Sequence, residues 1–109
     1  MYVGTSAIGI CYEVIKPEYR DLVKERVERF HDVIEIRKDQ LLNFCGNCLE
    51  IPDKDGNLLL AMSTAAFNAY TELQKEKIEK HFKKIVHTDI STIEKYGGGS
   101  ARCMLAELF

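Results

Sequence analysis

The chain has 109 residues, of which 46% are hydrophobic and 29% are charged, and its formal net charge is −2. These values are typical of one globular domain, and the near-neutral balance lacks the basic patch that nucleic-acid binding requires. No apolar run reaches the length of a membrane span, and the N-terminus lacks the basic region of a signal peptide. We therefore expect a cytoplasmic protein with four reduced cysteines and no nucleic-acid or membrane partner.

The first half of the chain alternates strand and helix patterns. Residues 2–15 are apolar on both faces of a period of two, which predicts one central, buried strand. A proline in the first turn and apolar residues at three- and four-residue steps predict an amphipathic helix over residues 17–30 that packs on a sheet. A short strand over 33–36 and a helical turn over 38–44 follow, with Gly46 as the expected C-cap.

The second half of the chain opens with a hairpin. Two apolar runs, at residues 48–51 and 58–62, flank the turn sequence Pro-Asp-Lys-Asp-Gly-Asn. Ser63 or Thr64 is the expected N-cap of the next helix, and a capping box that begins at Thr71 opens a further one. The remaining predicted elements are a helix over 64–70, a helix over 71–82, a strand over 85–90, a connector over 91–96, and a final strand that follows three glycines.

This order of elements corresponds to about two ββαβ modules in one domain, residues 1–109. Residues 47–109 contain a hairpin, a helix and a strand, which make one module, followed by the final strand. Residues 1–46 have the pattern of the same module without its first strand. Such alternation predicts an α/β fold with helices on the outside of small mixed sheets.

The C-terminal stretch offers a candidate nucleophile. Three consecutive glycines before Ser100 allow the backbone to approach a ligand closely. Cys103 lies where this turn meets the predicted strand, held on one side and accessible on the other. Arg102 and the backbone N–H groups of residues 98–100 could favour a thiolate, although strand alternation directs Arg102 away from the face of Cys103. The alternative is a Gly-rich turn before a core strand with an incidental cysteine.

Two other patterns admit a chemical interpretation and a plainer one. Cys45 and Cys48 form a Cys-x-x-Cys, but zinc needs a second ligand pair and thioredoxin-like chemistry needs a helix directly after the motif. A packed structural pair therefore fits better, and we expect no metal site and no cofactor. His87 and Asp89 resemble a catalytic His-x-Asp, yet their place inside a predicted strand favours a solvated edge.

The motif Gly-Gly-Gly-Ser-Ala-Arg-Cys-Met-Leu-Ala-Glu at residues 97–107 resembles the C-terminal motif of the guanidino-group-modifying superfamily. The similarity is greatest to amidinotransferase-like, arginine-deiminase-related proteins, including citrulline hydrolases. Phe-Cys-Gly-Asn-Cys-Leu-Glu at 44–50 is similar to the Gly-Asn-x-Leu strand of that superfamily, and residues 60–63 are similar to the strand end after its hairpin. The resemblance implies the C-terminal blades of a five-bladed, pentein-type α/β propeller.

The resemblance also implies a reaction and site residues. Cys103 would be the covalent nucleophile that attacks the guanidino or ureido carbon of an arginine- or citrulline-like substrate. Asn47, Gly98, Gly99 and Ser100 would bind the substrate or shape its site. A histidine would transfer protons and carboxylates would clamp the planar substrate group.

The sequence departs from the superfamily pattern at those last groups. The superfamily's His-x-Asn or His-x-Asp motif is expected just before Met1, and its carboxylates come from still earlier blades. His87 and Asp89 resemble that motif but lie in the strand before the glycine turn, so His87 is not given the proton-transfer role. We therefore expect the C-terminal part of a hydrolase that is inactive alone, with a second copy or a complementary N-terminal chain as partner. The alternative is a non-catalytic assembly module, because a partial propeller exposes strand edges.

Overall fold

The computed structural model describes residues 1–105, which fold around two three-stranded mixed sheets. In each sheet the first two strands are antiparallel and the last two are parallel. The strands of the first sheet are, in spatial order, β1 (Tyr2–Val3), β2 (Ala7–Ile10) and β3 (Asp32–Glu35). Those of the second sheet are β4 (Leu49–Pro52), β5 (Leu58–Ser63) and β6 (Lys84–Thr88). The predicted mixed α/β fold is confirmed.

Helices connect the parallel strands of each sheet. The first of them joins β2 to β3, and the third and fourth lie between β5 and β6, so both units have the order ββαβ. Over residues 1–105 the α-helices are α1 (Pro17–Phe30), α2 (Lys38–Leu41), α3 (Thr64–Ala69), α4 (Glu72–Glu79), α5 (Ser91–Gly97) and α6 (Ala101–Met104), and a 3₁₀ helix covers Tyr12–Val14. Within this range, none of these helices is long and apolar enough to cross a membrane.

The first unit is complete, so the prediction that it lacks its first strand is wrong. Residues 2–15 do not form one strand, because the Gly4 N–H donates to the Ala7 carbonyl over 2.8 Å and closes a turn. That turn folds Tyr2 back onto Gly9 in an antiparallel pair. The Tyr2 ring occupies the space that a Cβ at Gly9 would need. The central, buried position predicted for this region is confirmed for β2, whose four residues are all buried.

Local sequence signals predicted most of the remaining elements. The hairpin, the 17–30 helix and the capping box at Thr71 are confirmed, and the Ser63 hydroxyl accepts a hydrogen bond from Ala66 N–H as the N-cap of α3. Gly46 is not the C-cap of α2, which ends at Leu41. The positive φ in that loop belongs to Phe44, at 65°.

A shared core and buried hydrogen bonds join the two units. The largest fully buried apolar side chains come from both units and are Ile34, Ile36, Leu60, Met62 and Ile78. Gln40 is only 1% exposed, and its amide donates to the Ala69 carbonyl and to the Gln74 side chain over 2.9 and 2.7 Å. The Tyr70 hydroxyl donates to the Cys45 carbonyl over 2.6 Å.

A polar cluster makes a second connection between the units, nearer the surface. His81, after α4, contacts Ser6 Oγ through Nδ1 over 2.8 Å and Asp32 Oδ2 through Nε2 over 2.9 Å. Lys77 Nζ lies 3.3 Å from Asp32 Oδ1. Chiefly the hydrogen bond with His81, and then that with Lys77, hold the pKa of the Asp32 carboxyl below its usual range, while desolvation opposes them.

We predict that Asp32→Asn lowers the free energy of unfolding at pH 7 by about 1 kcal/mol, a value kept small because the carboxyl is partly screened by solvent. Because the pKa of Asp32 is lower in the folded protein, its stabilisation exists above the unfolded pKa of about 4 and is lost as the pH falls through the folded pKa. Urea unfolding at several pH values measures the difference. Asp21→Asn, at an exposed position of α1, is the control. A deficit that is unchanged at pH 3, or equal in both variants, would contradict the prediction.

Candidate functional site

Cys103 lies on the short helix α6 and not on a strand, so the predicted final strand is wrong over residues 101–104. Its continuation, residues 106–109, lies outside the described part of the chain. The segment predicted as a connector is helix α5, which ends at Gly97; its C-cap, Gly98, is in the left-handed region, with φ 69° and ψ 5°. The glycines therefore end one helix and reverse the chain into the next. The apolar residues that suggested a strand, Met104 and Leu105, are 51% and 46% exposed.

Asn47, just before β4, binds the helix that carries Cys103. Its Oδ1 accepts the backbone N–H groups of Arg102 and Cys103 over 2.8 and 3.3 Å, and its Nδ2 donates to Cys103 Sγ over 3.1 Å. The first N–H groups of a helix have no partner within the helix. Asn47 therefore acts as an N-cap from a distant part of the sequence and also orients the thiol.

The surroundings of Cys103 lower the pKa of its thiol. The hydrogen bond from Asn47 is the largest cause, the backbone of Ser100 and the charge of Arg102 add to it, and slight desolvation opposes them. In contrast, burial raises the pKa of Cys45 and of Cys48 to about 12. The thiolate is the reactive form of a cysteine, and Cys103 combines an exposed thiol with a lowered pKa.

The glycine turn gives the thiol its space. A Cβ at Gly99 would approach both Cβ and Sγ of Cys103 to 3.2 Å, so a side chain at residue 99 would crowd the thiol. Ser100 is fully buried, and its hydroxyl donates to Glu94 Oε2 over 2.7 Å. Gly98 supplies the positive φ of the turn. A direct contact of Gly98, Gly99 or Ser100 with a substrate stays a prediction.

The His-x-Asp pattern is exposed and is not joined to Cys103. His87 on β6 stacks on Phe67 with ring centroids 4.1 Å apart, and its Nδ1 lies 3.0 Å from Thr64 Oγ1. Asp89 accepts the backbone N–H of Ser91 over 2.9 Å at the start of α5. Within residues 1–105, no histidine or carboxylate forms a hydrogen bond with Cys103.

Cys45 and Cys48 are both fully buried near the contact between the units. The Cys45 thiol donates to the Ala66 carbonyl over 3.5 Å, and the Cys48 thiol donates to the Cys45 carbonyl over 3.3 Å. Across the described range, no group of three or more His, Cys, Asp or Glu side chains is arranged to hold a metal ion. Their burial and these hydrogen bonds make Cys45 and Cys48 part of the packed core.

Glu94 is the residue of this region that sequence reasoning missed. It is only 7% exposed, and it lies in the segment predicted as a connector. The signal that could have revealed it is the helical spacing of Ile90, Ile93 and Glu94 before a terminating glycine. A carboxyl on that face lies next to the glycine turn once α5 forms.

The ββαβ repeat, and the contact of Asn47 with a thiol that follows a Gly-rich turn, fit the guanidino-group-modifying class that the sequence motifs resemble. In agreement, the whole chain, residues 1–109, matches the family model described as N,N dimethylarginine dimethylhydrolase, eukaryotic. The chain therefore belongs to the dimethylarginine dimethylhydrolase family, and membership of the guanidino-group-modifying superfamily is confirmed. No curated protein and no solved structure matches the chain significantly.

We predict that Asn47→Asp slows alkylation of Cys103 by iodoacetamide at pH 7 by roughly tenfold. The aspartate retains the acceptor for the helix N–H groups, but it loses the donor to Sγ and places a negative charge beside the thiolate, which raises the thiol pKa. Peptide mass spectrometry after timed labelling gives the rate. Asn43→Asp is the control, because Asn43 is exposed and its side-chain amide donates to the Asp39 carbonyl and not to the thiol. Unchanged labelling in Asn47→Asp would contradict the prediction.

Proposed function

We propose that this protein acts on the guanidino carbon of an arginine-like substrate, with Cys103 as the covalent nucleophile. The proposal is supported chiefly by the hydrogen bonds of Asn47 with the backbone and the thiol of Cys103. This contact gives the thiol a fixed direction and a lowered pKa at an exposed position. Family membership supplies the substrate class, a guanidino group.

The chemistry follows from the thiolate. Its sulfur forms a bond to the guanidinium carbon while the C=N electron pair moves to nitrogen, which gives a tetrahedral adduct. Collapse of the adduct expels an amine, which leaves with a proton, and a thiouronium remains on Cys103. Water then adds to that carbon, the C–S bond breaks, and the products are a ureido compound and the regenerated thiol.

Two parts of this chemistry, protonation of the leaving amine and binding of the guanidinium, need groups other than those that contact Cys103 in residues 1–105. A proton must reach the departing amine, and a carboxylate is suited to clamp the guanidinium through two parallel hydrogen bonds. No such group contacts Cys103 within the described range. We infer that these groups come from a further unit of the fold, as the five-bladed propeller implied by the resemblance would provide.

A cavity beside α6 suits the non-reacting part of such a substrate. It has a volume of about 250 Å³ and lies between the second sheet and the residues on either side of Cys103. Its walls are mostly apolar and include Met62, Val86, Ile90, Ala101 and Met104. An apolar wall next to a polar reacting group fits the methylene chain of an arginine-like molecule.

To test this proposal, the protein is incubated with N-methylated arginine in one experiment and with arginine in another. Intact-protein and peptide mass spectrometry should detect a slowly formed thiouronium on Cys103, for which solvent water protonates the departing amine; the adduct should be absent in Cys103→Ser and retained in Cys11→Ser, because Cys11 is buried. Continuous turnover to a ureido product by this chain alone should stay at the level of Cys103→Ser, because no group that contacts Cys103 within residues 1–105 activates the water that must attack the thiouronium. No adduct at millimolar substrate would overturn the nucleophile assignment, and turnover that depends on Cys103 would overturn the incomplete site.

We propose assembly between copies as a second role, since α1 buries none of its residues. In the second unit, α4 packs on its own β6 and also on β3 of the first unit, whereas α1 packs on β3 of its own unit. By analogy with the contact of α4 with β3, the surface of another copy that would receive α1 lies on β6. This strand carries Val86, which is 39% exposed and borders the apolar cavity. The α1 face of one copy therefore fits the β6 side of another in a head-to-tail contact.

We predict association that depends on concentration and on the apolar face of α1. Leu22 and Tyr19 on that face are 46% and 56% exposed. Leu22→Lys should shift the sedimentation coefficient to that of the monomer, while Leu42→Lys, at an 81% exposed position outside α1, should not. A wild-type monomer at every concentration up to the millimolar range would contradict the prediction.

A further inference from the structure

Glu94 is a buried carboxyl group with one conspicuous partner. Over residues 1–105 the buried polar or charged residues are Gln40, Ser63, Glu94 and Ser100. Gln40 joins the two units, and Ser63 caps α3. The other two bind each other, because the Ser100 hydroxyl donates to Glu94 Oε2 over 2.7 Å. A buried carboxyl costs free energy unless it is bonded, so this pair calls for a structural or chemical reason.

Glu94 holds the glycine turn at both of its ends. Its backbone carbonyl accepts the Gly98 N–H over 3.3 Å, which ends α5, and its side chain binds Ser100, the residue directly before α6. Between these two points the chain consists of glycines, which by themselves leave the backbone free to adopt many conformations. The side-chain bond therefore selects one path for the turn.

Ser100 links Glu94 to the helix that carries the Cys103 thiol. Its carbonyl accepts the Cys103 N–H over 3.0 Å, which closes the single turn of α6. Its backbone is also, after Asn47, the second cause that lowers the pKa of the Cys103 thiol. A displaced Ser100 would thus remove one support of the thiolate and would move the helix away from Asn47.

We propose that Glu94 is a positioning residue for Cys103, which acts through the Ser100 hydroxyl to hold the glycine turn and set the reactivity of the thiol. Glu94 does not touch the thiol, and its effect is indirect. The proposal rests on the proposed function only in taking Cys103 as the nucleophile, since the reactivity of the thiol can be measured without a substrate.

The experiment is the pH dependence of iodoacetamide alkylation at Cys103 in the full chain. The variants are Ser100→Ala, Glu94→Ala and Glu94→Gln, with Glu79→Ala, at an exposed position of α4, as the control. We expect the alanine variants to shift the pH midpoint upward and to lower the rate at pH 7 by roughly three- to tenfold. Glu94→Gln keeps an oxygen acceptor but loses the charge, so its rate should lie between wild type and Glu94→Ala.

The double variant separates a positioning role from general destabilisation. If Glu94 acts through Ser100, then Glu94→Ala combined with Ser100→Ala should be no slower than the slower single variant. A merely structural role would lower the melting temperature and leave the pH midpoint unchanged, and this result would overturn the proposal. If an alanine variant does not fold, Glu94→Gln decides alone: an unshifted midpoint with a wild-type rate counts against the proposal. Absence of a thiouronium adduct would contradict the proposed function, but it would not affect the role of Glu94 measured by alkylation.

Discussion

The contact between Asn47 and α6 is the constraint on which the site depends. One amide group accepts two helix N–H groups and donates to the thiol, so a single side chain sets both the position of the helix and the direction of Sγ. A helix of four residues has too few internal hydrogen bonds to persist by itself. The Cys103 thiol therefore owes its geometry to a segment more than fifty residues earlier in the chain.

The two ββαβ units give that contact its rigid base. Asn47 lies two residues after Cys45 and two residues before β4, the first strand of the hairpin. The Cys45 carbonyl accepts a hydrogen bond from the Tyr70 hydroxyl. The shared core and the Gln40 hydrogen bonds join the two units. The loop that carries Asn47 is therefore held by contacts with both of them. The thiol is exposed, but the groups that orient it are anchored in buried structure. Such support by surrounding structure is what holds a reactive side chain in a productive geometry.

The same repeat explains why α1 is unusual. Its counterpart α4 buries Ile78 completely and contacts strands of both units, whereas α1 leaves Phe30 75% exposed. An apolar helix face that lacks a second partner is a surface for association. The open face of α1 is the observation behind the proposed association between copies.

Local patterns predicted the parts of the fold that local chemistry decides. Turn residues identified the hairpin, and the Thr71 capping box opened α4 as expected. The turn at Gly4 was missed because it interrupts an apolar run that has strand character on both sides. α6 was missed because its stability comes from Asn47, a contact that no local pattern contains.

The candidate site shows the same division. Cys103 and Asn47 were found through the likeness of their motifs to a known superfamily, and the structure shows them in direct contact. Glu94 was missed because its carboxyl meets Ser100 only after α5 has formed and Gly98 has turned the chain. A residue whose role is to bind another side chain of the site leaves little trace in spacing or composition.

Titration of the cysteines tests most directly whether the structure holds Cys103 as a reactive thiol. NMR of the chain labelled with ¹³C at the cysteine Cβ atoms would follow each thiol as the pH is raised. We expect Cys103 to ionise below the ordinary thiol value of about 8.5, while Cys45 and Cys48 remain protonated until about pH 12. A Cys103 signal that titrates at or above the ordinary value would show that the contact with Asn47 does not activate the thiol.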